Sequence, residues 1–286
     1  MRNTKTERKQ QANRLETLFP LLRKKGKKAL AVFLMGGDPS LAASLEMLKA
    51  AVHGGADILE IGVPFSDPLA DGPVIQKSAT RALKNNTRLD DILSLAYQLR
   101  LDIDTPIVLL SYWNPIYQYD PLSFFKQAKK AGVDGIIIPD LPFEEKRPFY
   151  QDAKKHGLVL IDFLTPATRK ERAGSLLKNS RGFIYCVTVS GITGIRDTLS
   201  DTLSKTTEIA RRHTRIPLLA GFGISSPAQA CEASRWVDGV IVGSALVQEV
   251  DHYKDITGIL PKIIQEKVYA FRKALDDAFP LDGVQG

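Results

Sequence analysis

From residue 29 onward the chain repeats one pattern, a short run of apolar, mostly branched residues followed by a longer stretch of helical period. The runs fall at 30–35, 58–62, 107–110, 135–138, 159–163, 183–187, 216–220 and 240–243. Because they are apolar almost throughout, they predict strands buried on both faces, which means parallel strands with helices laid over them. Amphipathic stretches at 41–52, 120–131 and 202–212 supply such helices. Most intervals are about 25–35 residues, the size of one βα repeat. The interval after Gly62 is longer and holds two helical segments, 74–83 and 89–99, which points to one extra helix.

Eight such units without a Gly/Ser or Pro-rich linker predict a single (β/α)8 barrel, an α/β TIM barrel, over 15–280. Residues 1–14 read as a basic extension and 281–286 as a tail. The formal charge of +7 is uneven: residues 1–28 carry ten basic and two acidic residues, leaving 29 basic against 30 acidic beyond. A nucleic-acid surface needs its cations clustered on the folded body, so the basic balance argues for no nucleic-acid partner. Leu15, Leu18, Phe19 and Leu22 recur at helical spacing inside this segment, as expected of an extra N-terminal helix closing the barrel's far mouth. No apolar run reaches membrane-spanning length and no signal-peptide core stands at the start, so the expectation is a cytoplasmic protein away from membranes. Cys186 and Cys231 read as packed free thiols.

Active sites of such barrels lie at the C-terminal strand ends, which makes the segment D-I-L-E-I-G-V-P-F-S-D-P-L-A-D-G-P from Asp57 to Pro73 the richest in the chain. Alternation along 58–62 turns Leu59 and Ile61 to the helices and Glu60 into the barrel. Desolvation there raises a carboxyl pKa and suits it to acid or base work, although a buried Glu held by an Arg or Tyr is an equally available reading. Asp71 follows on a Pro-stiffened loop. Two carboxyl groups in different settings divide acid from base.

Three glycine-bearing segments follow late strands: Gly191 to Gly194, Gly221 to Ser225, and Gly243 to Ala245. Their backbone N–H groups, with a helix starting near Ser244, suit a phosphorylated ligand. No strand end carries a Lys for a Schiff base, and His53, His156, His213 and His252 lie outside the strands and form no metal cluster. The substrate itself must then stabilise charge, in a pocket of Phe33, Leu110, Tyr112, Phe163 and Phe222, with Tyr185 able to reach Glu60.

The segment L-E-I-G-V-P-F-S-D-P-L-A-D-G-P at 59–73, with P-D-L-P at 139–142, G-I-T-G at 191–194 and G-F-G-I-S at 221–225, resembles the tryptophan synthase alpha subunit family over about 15–275. The resemblance implies a carbon–carbon lyase that cleaves indole-3-glycerol phosphate to indole and glyceraldehyde 3-phosphate in a retro-aldol reaction of tryptophan biosynthesis. It implies that Glu60 is the acid/base, that Asp71 meets the indole N–H, and that Tyr185 is the active-site tyrosine. Phe33, Leu110, Tyr112 and Phe222 correspond to the indole pocket; Thr193, Gly194, Gly223, Gly243 and Ser244 correspond to substrate and phosphate contacts. It also implies a beta-subunit partner in an alpha-beta-beta-alpha heterotetramer. The cofactor, pyridoxal phosphate, then sits on that partner and none on this chain. The loop at Asp67 and Pro68, and 189–197, would face the partner. Met35, where relatives are expected to carry threonine, and Val189 depart from the family pattern. A neighbouring phosphate-binding barrel enzyme and a silent regulatory partner of the beta subunit are the competing readings.

Overall fold

The computed structural model describes residues 12–187, 199–221 and 223–280. Eight parallel strands close into a barrel in sequence order: β1 (Ala29–Met35), β2 (Ile58–Gly62), β3 (Ile107–Leu110), β4 (Gly135–Ile137), β5 (Val159–Leu164), β6 (Ile184–Val187), β7 (Leu218–Gly221) and β8 (Gly239–Val242). The ring is completed by β8 pairing with β1, Leu30 opposite Val240. The (β/α)8 architecture predicted from periodicity is therefore the observed one, with strand ends displaced by two residues at most. Some displacements fall where apolar runs continue past the ladder, as at Ile216, which lies outside β7; at others, such as Ala29 and Leu164, the ladder takes in one residue more.

Alternation along the strands makes two separate cores. One side packs the annulus between strands and helices, with Leu30, Val32, Leu59, Ile61, Leu109 and Ile184 among its members. The other fills the barrel, with Ala31, Ile58, Val108, Ile161, Phe183 and Leu219. Leu59 and Ile61 therefore face the helices, and Glu60, opposite Phe33 on β1 and Val108 on β3, faces inward, as the alternation requires.

The interior column is stoppered at its N-terminal end by the helix Arg14–Lys24. Asn13 caps it, its Oδ1 accepting from the Leu15 amide at 2.9 Å, and the helix buries Leu15, Phe19 and Leu22. Leu15 takes the space left by Gly135, where an added Cβ would stand 2.8 Å from a Leu15 methyl. The interval after β2 holds two helices, Pro73–Lys84 and Leu89–Asp102, so the extra helix anticipated there is present. A long helix, Leu260–Ala278, buries Leu260, Ile264, Val268, Phe271 and Leu275 at helical spacing. It packs along Leu41–His53 and seals the ring where its last helices meet its first. No helix among the described residues is long and apolar enough to cross a membrane. Cys186 and Cys231 are both free, as their sequence context suggests.

Candidate active site

At the C-terminal end of the barrel a recess of about 450 Å³, its mouth included, is lined by Glu60, Asp71 and Tyr185 together with Phe33, Leu110, Gly223, Gly243 and Ser244. Eight of the residues singled out from the sequence thus meet in one place, contributed by six different strand ends and loops. Ile75, Ile224 and Ile241 complete the wall. They carry no chemical signature that would mark them in a sequence; Ile241 is legible only as the inward member of β8. Thr193, Gly194, Phe222 and the segment 189–197 lie outside the described residues.

Glu60 is 1% exposed. Among the described residues no ion pair holds it, so burial, with the Asp71 charge adding to it, pushes its carboxyl up to about 8. Asp71 stands on the loop before Pro73, its amide bonded to the Pro68 carbonyl at 3.0 Å. Burial raises its carboxyl to about 6, and a hydrogen bond from the Tyr112 hydroxyl holds it below where burial alone would take it. Tyr112 therefore sits behind Asp71 rather than on the recess wall. It also accepts the Ala70 amide at 3.0 Å, and its ring packs on Phe65 with centroids 5.4 Å apart. That contact joins the loop after β3 to the acidic loop.

Tyr185 is buried, and burial together with the nearby Glu60 and Asp71 charges keeps its hydroxyl protonated far above the ordinary tyrosine range. Its ring lies 5.0 Å from that of Phe163 on the neighbouring strand. Gly221 makes this placement possible, because a Cβ there would come within 2.4 Å of the tyrosine oxygen.

On the opposite wall Gly243 precedes the helix Ser244–Tyr253 and offers no side chain to cap it. Among the described residues the Ser244 and Ala245 N–H groups have no partner, whereas those of Leu246 and Val247 donate to the Gly243 carbonyl; the first two, with the helix dipole behind them, suit an anion. Gly223, at φ +87°, adds a backbone turn that disfavours any side chain. Two weakly compensated carboxyl groups face an uncapped helix N-terminus across an apolar slot. Such a slot can pass protons to and from a flat substrate tethered by a phosphate.

The whole length of this barrel matches known proteins. Residues 19–276 fit the family model described as tryptophan synthase alpha chain. The chain belongs to the tryptophan synthase alpha chain family. It is 41% identical over 238 residues to the tryptophan synthase alpha chain of a Thermoanaerobacter species, covering 83% of this chain and 90% of the relative. It is 40% identical over 263 residues to that of Caldanaerobacter subterraneus, covering 92% and 100%. Among solved structures, the tryptophan synthase alpha chain of Legionella pneumophila superposes with a TM-score of 0.84 at 33% identity, covering 93% of this chain and 98% of that one. A chain of Mycobacterium tuberculosis tryptophan synthase in an aminoacrylate-bound form gives 0.81 at 30% identity, covering 92% and 100%.

The histidines that could have suggested a metal lie at helix ends or on helix surfaces, with His53 and His213 closing their helices. Among the described residues no group of three His, Cys, Asp or Glu side chains is set to hold a metal ion. The loop expected to face a partner exposes Asp67, and beside it Leu69 is 93% exposed.

Proposed function

We propose that the recess is where this alpha chain acts as a carbon–carbon lyase on indole-3-glycerol phosphate, with Glu60 and Asp71 dividing the work. The observation that carries the assignment is that two carboxyls in different settings line one recess, the strand one fully buried and pushed up to about 8, the loop one to about 6. Near neutral pH the first is an acid and the second a charged acceptor. Glu60 delivers its proton to the indole carbon that bears the glycerol chain. Positive charge then develops at the ring nitrogen, and Asp71 accepts the N–H and stabilises it. The carbon–carbon bond breaks, its electron pair restoring the indole ring, while the adjacent hydroxyl returns a proton to Glu60 and becomes the aldehyde of glyceraldehyde 3-phosphate. Protons and electrons balance without a further reagent.

Tyr185, kept protonated, donates to an oxygen at this centre, and Phe33 and Leu110 grip the ring. Tyr112 acts on the ring side through Asp71. Backbone N–H groups at Gly223, Gly243 and Ser244 receive the phosphate, with Thr193, Gly194 and Phe222 completing the enclosure. Alpha chains of this family work with a beta subunit. We place the Asp67 and Pro68 loop against it in an alpha-beta-beta-alpha assembly, with pyridoxal phosphate on the partner. The exposed Leu69 supports that face, since a large apolar side chain at a loop tip gains by being covered. Indole formation from indole-3-glycerol phosphate by the purified chain, with and without a beta subunit, tests the reading. Turnover that the complex accelerates supports it. Absence of turnover in both would leave a binding partner without chemistry.

A further inference from the structure

Three consecutive βα units meet at one side chain. Arg81, in the helix Pro73–Lys84, presents its guanidinium in a fork to Asp38, Nε to Oδ1 at 2.8 Å and Nη2 to Oδ2 at 2.7 Å. Its remaining nitrogen, Nη1, reaches Asp251 of the helix Ser244–Tyr253 at 2.6 Å. Asp38 stands in the loop after β1, is 2% exposed, and also accepts from Ser78. The two bridged helices are the ones whose N-termini face the recess: Asp71 lies just before the first, and Gly243 just before the second.

We propose that Arg81 is a positioning residue that fixes the separation between the two ends of the substrate site, the Asp71 carboxylate and the helix N-terminus at Gly243 and Ser244. Neither Arg81 nor its two carboxylate partners lines the recess. Their effect passes through the helices, which are stiff over the roughly 12 Å separating Arg81 from the first residue of its own helix. Asp38 serves as the fixed post, buried and bonded through both oxygens, and Asp251 is the arm that carries the second helix. Ordinary packing holds each helix to the barrel. The two helices also pack against each other, and the clamp adds to that packing a direct charged link between them.

This inference rests on the substrate reading above, in which one molecule spans both ends. A ligand that spans two subsites gains from linkage only when the spacing is right, whereas the separate fragments are indifferent to it. The test uses the full chain and three probes: an uncleavable phosphate ester carrying indole on a three-carbon chain, indole alone, and glycerol 3-phosphate. Asp251→Asn, a change at a half-exposed carboxylate, and Arg81→Lys are compared with wild type by calorimetric titration, with thermal melts confirming the fold. Affinity for the ester is expected to fall by about fivefold or more while each fragment changes by less than about twofold. The double variant should be no worse than Arg81→Lys alone. Equal losses for ester and fragments, or an unchanged ester affinity, would overturn the clamp. Should Arg81→Lys fail to fold, Asp251→Asn carries the test. Wild-type protein that does not bind the ester overturns the substrate reading itself, and the clamp with it; wild-type binding with indifferent variants overturns the clamp alone.

Discussion

Asp134 and Glu60 are equally buried, each 1% exposed, yet the protein treats them in opposite ways. Asp134 lies just before β4 at the N-terminal end of the barrel. Its Oδ2 accepts the Ile107 amide at 3.0 Å and Arg100 Nη2 at 2.9 Å, and Arg14 approaches its Oδ1 at 3.3 Å. Asp57, before β2, takes the Leu30 amide at 2.9 Å and Arg272 at 3.1 Å. Asp238, before β8, takes the Leu218 amide at 2.7 Å together with Arg211. One end of the barrel thus repeats a device in which a carboxylate staples the neighbouring strand's free amide and an arginine covers the charge. At the other end Glu60 has burial and, among the described residues, no cation. Burial alone does not make a carboxyl reactive; burial without compensation does.

The sharpest way to break this contrast is Glu60→Gln, an amide of nearly the same shape as the protonated acid. Indole release is expected to fall by about 10²–10⁴-fold, the range of a lost general acid–base group. Melting temperature at neutral pH should be unchanged or higher, because the folded protein loses an ionisable group it could not solvate. The pH dependence has a fixed sign. Glu60 holds its proton more tightly when folded, so wild-type stability declines as pH climbs from 4.5 through about 8. The variant should lack that part of the decline. In wild type, kcat/KM should peak between Asp71's value near 6 and Glu60's near 8. Full activity in the variant would contradict the division of roles.

Removing the buried carboxylate at the opposite end should cost folding and spare chemistry. Asp134→Ala takes the carboxylate counter-charge from Arg100, which keeps only the Gly132, Ile103 and Thr105 carbonyls, and leaves the Ile107 amide unpaired in the interior; it should lower stability by about 3–5 kcal/mol, read from denaturant unfolding. Per folded molecule, its indole release should stay within about twofold of wild type, since the residue lies a barrel's depth from the recess. A selective loss of kcat with stability intact would erase the distinction between the two ends.

A finer cut falls inside the catalytic end. Tyr112→Phe removes the hydroxyl that lowers Asp71 and accepts the Ala70 amide. The acid limb of the kcat/KM profile should move to higher pH, with a loss at the optimum of about tenfold or less. An unmoved acid limb would mean that Asp71 is set by burial alone.

How much of this contrast a sequence carries depends on whether it lies along one strand or between distant ones. Glu60 is legible because period-two alternation within five residues sends it inward, and Leu59 and Ile61 confirm the register. Gly243 and Ser244 are legible because glycine before a helix leaves its N–H groups uncapped. The bond between Tyr112 and Asp71 joins two loops 41 positions apart, and no local pattern encodes which loop tips meet. The stapling device is intermediate. Its G-A-D, G-V-D and W-V-D segments at 55–57, 132–134 and 236–238 recur before strands, but an Asp at a strand start also reads as a turn residue until its arginine is seen. The helix Leu260–Ala278 was hidden for another reason: the βα pattern is already complete before it, and only the closed ring shows a seam for it to cover.

The smallest expected effect marks where the stapled end begins. All of the excess positive charge of the chain lies in residues 1–28, since the remainder carries one more acidic than basic residue. The helix there holds by apolar contacts from Leu15, Phe19 and Leu22, and by Asn13, whose Nδ2 donates to the carbonyls of Asp134 and Gly157, each at 2.8 Å. Asn13 thus ties the stopper helix to the residue that staples the start of β3. We place the edge of the dispensable segment before Asn13, not at Leu15. Deleting residues 1–10 should change indole release by less than about twofold and stability by about 0.5 kcal/mol or less. Asn13→Ala should cost about 1–2 kcal/mol through the lost cap and its buried bonds. Leu15→Ala should cost about 2–5 kcal/mol, since the space beside Gly135 would stand empty. A deletion of 1–10 as damaging as Leu15→Ala would show that the basic segment itself supports the barrel, and that the stapled end reaches further along the chain than Asn13.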